Sequence, residues 1–115
     1  MRGWTQAEAI KLCRKVEELA PMYGCHVALT GGCLYKDGVR KDLDLLFYPN
    51  DNDYLAIEAL FESLERNLEI KFTDKVRSLS ARHWLYKAEQ HGRGIDCFFY
   101  YQKQGYDEDY GKEEE

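Results

Sequence analysis

Asp42-Leu43-Asp44-Leu45-Leu46-Phe47-Tyr48 is the stretch on which the reading of this chain turns. Leu43, Leu45 and Phe47 fall on every second position, against Asp42, Asp44, Leu46 and Tyr48 between them. A period of two is that of a β-strand with one apolar face. Residues two apart on a strand point the same way, so Asp42 and Asp44 stand side by side, with their bases roughly 6.6 Å apart. Asp is depleted in strands, and neighbouring carboxylates oppose one another's ionisation unless a cation neutralises them. A solvated strand face gives the same alternation, so the Asp-x-Asp pattern taken alone is a weak signal.

Upstream of this strand, Thr5-Gln6-Ala7-Glu8 fits a capping box, with Thr5 as N-cap. Ala9, Leu12, Cys13, Val16, Leu19 and Ala20 follow at helical spacing, and Pro21 and Gly24 end the helix. Cys25-His26-Val27-Ala28-Leu29-Thr30 suits a buried strand broken by Gly31-Gly32. Downstream, Pro49-Asn50-Asp51-Asn52 is turn chemistry, and Ile57, Leu60, Phe61, Leu64 and Leu68 mark a second amphipathic helix. Glu69 to Thr73 reads as a short strand. Trp84 to Gln90 and Ile95 to Tyr101 read as a hairpin around His91-Gly92-Arg93-Gly94. The order α-β-β-α-β-β-β predicts an α+β domain, a small mixed sheet with helices packed on it.

Composition bounds the function. The chain has 115 residues, 44% of them hydrophobic, enough for one domain over residues 1–104. Its formal net charge of -5 lies at the end: six acidic residues among 107–115, against Lys112, account for all of it. Residues 105–115 are thus expected to form a flexible acidic tail, and the rest is charge-balanced. Such a balance argues against gripping long nucleic acid without a partner. No stretch approaches the roughly 20 apolar residues needed to cross a bilayer, and the N-terminus carries no signal-peptide run. Cys13, Cys25, Cys33 and Cys97 form no Cys-x-x-Cys pair and read as reduced thiols, mostly buried. The expectation is a cytoplasmic protein without a membrane partner.

Two further features join the paired aspartates. Gly31-Gly32, directly after a strand, lets the backbone turn sharply and lets phosphate oxygens approach the amides. Asp96, within Ile95-Asp96-Cys97-Phe98-Phe99-Tyr100-Tyr101, is a charge in an apolar stretch and needs a partner. Arg93 or Lys87 could serve; a strand lying beside Asp42 and Asp44 would instead make Asp96 a third metal ligand.

In order and spacing these residues resemble the DNA polymerase beta-like nucleotidyltransferase superfamily. The shared pattern is an apolar strand, Gly-Gly, a gap (here nine residues), Asp-x-Asp, and a later carboxylate on another strand. The likeness covers Val27 to Tyr48 and, more loosely, Ile95 to Phe99. It implies a nucleotidyltransferase-like core in which Asp42, Asp44 and Asp96 are catalytic and hold Mg²⁺ or Mn²⁺, two ions in all. Gly31, Gly32 and the following residues would contact a nucleoside triphosphate such as ATP. Cys33 stands where the family often has Ser, and a thiol is a weak donor. Lys36, Arg40 and Lys41 offer phosphate contacts from the loop, or taken singly are solvated loop charges. The implied reaction is attack of a hydroxyl on the α-phosphorus with release of pyrophosphate, the acceptor being a small molecule, a protein or an RNA end.

The expectation of a single domain directs specificity to this domain, an oligomer or a protein partner. A non-catalytic module of the same fold, binding a nucleotide or a protein, is the main alternative. A decoy acting through the acidic tail is a third. His26, His83 and His91 read as structural or surface residues. Trp84, Tyr86, Phe98 and Tyr100 read as sheet core, or as a stripe for stacking bases.

Overall fold

The computed structural model describes residues 3–35, 38–50, 55–80 and 83–100. The acidic tail and Lys36 lie outside these described residues. Helix α1 (Gln6–Leu19) starts at the expected capping box: Glu8 N donates to Thr5 Oγ1 and Thr5 N donates to Glu8 Oε1. It passes into a 3₁₀ turn, Ala20–Tyr23, which stops at Gly24. Strand β1 (Cys25–Thr30), helix α2 (Gly32–Tyr35), strand β2 (Asp42–Pro49) and helix α3 (Ile57–Leu68) follow. Strands β3 (Lys71–Ser80), β4 (His83–Gln90) and β5 (Arg93–Tyr100) complete the order.

The five strands form one mixed sheet in the order β1-β2-β5-β4-β3. The last strand enters beside β2 in parallel, while every other neighbouring pair is antiparallel. The result is the α+β domain that the element order predicts.

One sheet face carries the core. Leu43, Leu45 and Phe47 of β2 and Ile95, Cys97 and Phe99 of β5 are buried with Leu12 and Val16 of α1 and Leu60 and Leu64 of α3. Phe47 stacks on Phe99 at 4.4 Å between ring centroids, and Phe61 of α3 closes on Phe99 edge-on. Truncating such a fully buried ring costs about 3–5 kcal/mol, a large part of a small domain's stability. The other face carries Ala28, Leu46, Phe98 and Leu85 in register across four strands.

Three details differ from the sequence reading. The β4–β5 turn is only His91-Gly92, both with positive φ, so Arg93 and Gly94 belong to β5 rather than to a loop. Strand β3 starts after Glu69, which caps α3 in the left-handed region, and runs on to Ser80, well past Thr73. The four aromatics do not share a face. Trp84 and Tyr86 pack against the core, whereas Phe98 and Tyr100 follow Asp96 on the opposite side.

Candidate functional site

The alternation in β2 that buries Leu43 and Leu45 turns Asp42 and Asp44 to the side away from the helices. In β5, burial of Ile95 and Cys97 turns Asp96 the same way. The parallel register places Asp44 directly opposite Asp96, and Asp42 opposite Gly94. The three carboxylates therefore share one sheet face, as a cation site requires. With Gly32, Arg40 and Lys41 they line a cavity of about 260 Å³.

Two glycines make room for them. A Cβ at Gly31 would overlap Asp44 Oδ2, and one at Gly94 would overlap Asp42 Oδ1. The carboxylates thus occupy the space where those side chains would begin. Gly32 faces the Arg40 side chain, whose Nε would lie 2.8 Å from an added Cβ. Arg40 is itself fixed by a two-way backbone bridge to Trp4, at 2.7 and 2.8 Å. Trp4 is buried and donates from Nε1 to Gly94 O at 2.9 Å, tying the Arg40 loop to the start of β5.

Burial raises the pKa of Asp44; the negative charges of Asp96 and then Asp42 raise it further, and Lys87 partly offsets them. Lys87, opposite Asp96 in the β4–β5 register, holds Asp96 Oδ1 at 2.6 Å. The Asp96 side chain is only 17% exposed, so its charge is largely met by this ammonium. The bond to Asp96 in turn raises the pKa of Lys87.

Carboxylate oxygens in a glycine-lined recess suit Mg²⁺ or Mn²⁺, which often take one or two protein carboxylates together with substrate phosphates. Asp42 and Asp44 fit that requirement. Asp96 is turned to Lys87, and no three described His, Cys, Asp or Glu residues are grouped closely enough to hold an ion among themselves.

The structure brings together Asp42, Asp44, Asp96, Gly31, Gly32, Arg40 and Lys41 from the expected set. Cys33 goes elsewhere: it is buried in the core, with its Sγ 3.8 Å from Asp42 O. The small, weakly polar thiol points from α2 into the core, where Sγ meets the backbone carbonyl of Asp42. Sequence reasoning overlooked Gly94, because the pattern assigned it to a turn. It named Lys87 only as one of two partners for Asp96. Arg93, the other, lies three residues from Asp96 on the opposite sheet face.

The histidines have local roles. His26 Nδ1 meets Glu17 at 2.7 Å, His83 meets Ser80 Oγ at 2.9 Å, and His91 pairs with Glu69. All four cysteines are free, three of them buried. Burial and then the charge of Glu17 push the Cys25 thiol up to about 12. No helix among the described residues is long and apolar enough to cross a membrane. In comparisons with known proteins, no family model and no curated protein matches the chain.

Proposed function

We propose that this chain is a metal-dependent nucleotidyltransferase, moving a nucleoside monophosphate from a nucleoside triphosphate to a hydroxyl acceptor. The observation that carries this reading is the pairing of Asp44 with Asp96 across parallel strands, with Asp42 on the same face and two glycines clearing the space. Asp42 and Asp44 would hold Mg²⁺ or Mn²⁺, which supplies charge neutralisation at the phosphate oxygens. Arg40 and Lys41 are assigned to the triphosphate, with the guanidinium able to bind two oxygens at once. The acceptor oxygen bonds to the α-phosphorus as the bond from that phosphorus to the bridging oxygen breaks, and pyrophosphate leaves. The acceptor's proton is assigned to Asp96 Oδ2, since Oδ1 is held by Lys87. A second ion on Asp96 requires Lys87 to move aside. The acceptor is a small molecule, a protein or an RNA end, and four free thiols accord with a cytoplasmic location.

The full chain with Mn²⁺ should transfer label from an α-phosphate-labelled triphosphate, and Asp44→Asn should abolish transfer. Lys87→Met should let Mn²⁺ bind about tenfold more tightly by freeing Asp96. No transfer by the native chain to small-molecule, protein or RNA acceptors would refute catalysis. The Lys87–Asp96 pair favours one alternative, a nucleotide-binding module without turnover. Calorimetry would support that reading if nucleotide binding needs no metal and survives Asp44→Asn.

A further inference from the structure

A second cleft, of about 420 Å³, opens on the helix-covered side of the sheet, between α1, the end of α3 and the β4–β5 turn. Four cationic residues line it: Lys11 and Lys15, one turn apart on α1, Arg66 in the last turn of α3, and Arg93 at the start of β5. They come from three elements of a domain whose charges sum to zero, so the cleft is a local concentration of positive charge. The two acidic residues at the cleft are already engaged. Glu8 accepts from Thr5 N and from Arg93 Nη1, and Glu69 pairs with His91. Among the described residues, Lys11, Lys15 and Arg66 form no ion pair.

Arg93 makes the cleft more than a collection of surface charges. Its side chain is only 9% exposed, and its guanidinium lies 3.7 Å from the centre of the Trp4 ring. Nη1 reaches Glu8 at 3.2 Å and Nη2 reaches Gln90 at 3.4 Å, while the buried Nε has no hydrogen-bond partner. An unmet buried donor on a charged group is costly, and the stacked, doubly bonded guanidinium is already held in place to meet an acceptor. An anionic oxygen in the cleft neutralises the surrounding excess of positive charge, with the guanidinium already fixed at its wall.

We propose that this cleft is a phosphate-binding site for a small phosphorylated compound, separated by the sheet from the three aspartates. Its volume lies in the range of small-ligand pockets. The charge-balanced domain lacks the broad basic surface that grips a nucleic-acid polymer. The proposal does not depend on nucleotidyl transfer.

The test is a titration of the full chain with inorganic pyrophosphate in EDTA, followed by amide resonances. Saturable shifts are expected at Lys11, Lys15, Arg66 and Arg93. Binding should weaken about tenfold when the exposed pair is changed by Lys15→Gln and Arg66→Gln, the loss of two charge-assisted contacts. The melting temperature should stay unchanged, and Asp42→Asn should leave binding intact. Absence of shifts at millimolar pyrophosphate would overturn the proposal. So would equal binding by the double variant, shifts confined to the aspartates, or binding of a short single-stranded RNA in place of pyrophosphate.

Discussion

Asp44 bears the cost of the site. Burial first, and then its two carboxylate neighbours, raise its pKa from the ordinary 3.8, with Lys87 giving partial relief. A carboxyl whose folded pKa lies above its unfolded one binds its proton more readily in the native state. Its contribution to stability is therefore present below the unfolded pKa and is lost as pH rises through the folded one. Asp44→Asn should accordingly melt a few degrees above the native chain at neutral pH, with the gap closing as pH falls through the carboxylate range. Thermal denaturation across that range checks the sign. A native chain that gained stability relative to the variant on going from acid to neutral pH would contradict the account.

Among the elements, β2 and β5 carry the site, and the two glycines beside them separate conformation from space. Gly31 has φ of 74°, so Gly31→Ala meets backbone strain as well as the Asp44 carboxylate, at a cost of about 1–2 kcal/mol from the backbone alone. Gly94 has no positive φ, and its only obstacle is Asp42 Oδ1, the end of a side chain that can turn away. Gly94→Ala should therefore change the urea midpoint far less than Gly31→Ala while still weakening Mn²⁺ binding. Paired urea and Mn²⁺ titrations check both halves.

The same elements mark what could be read from residues in order. The β2 alternation, the capping box and the α3 stripe are local patterns, and each appears in the structure at its place. Strand β3 outran its expectation because it is an edge strand with exposed residues on both sides of its path, including Val76 and Leu79, and has no clean period. The tight His91-Gly92 turn was hidden because Arg93 and Gly94 look like loop residues, yet one is buried over Trp4 and the other sits under Asp42. Nor could a local pattern reveal that β5 runs parallel to β2, since that pairing depends on the whole chain.

Over the whole molecule, the sheet divides two chemistries: acidic residues on one side, and a basic cleft around Arg93 on the other. The acidic side has a consequence for how the chain folds. The β4–β5 hairpin joins neighbours in sequence and closes early, whereas its docking against β2 joins distant segments and comes late. That late step brings Asp96 toward Asp44 and Asp42; Lys87 travels on the same hairpin and offsets part of the repulsion, and the remaining negative charge opposes the final closure of the sheet. Dissolved Mg²⁺ should shield the approach and speed refolding in stopped-flow experiments more than an equal ionic strength of NaCl, and this advantage should vanish in Asp44→Asn.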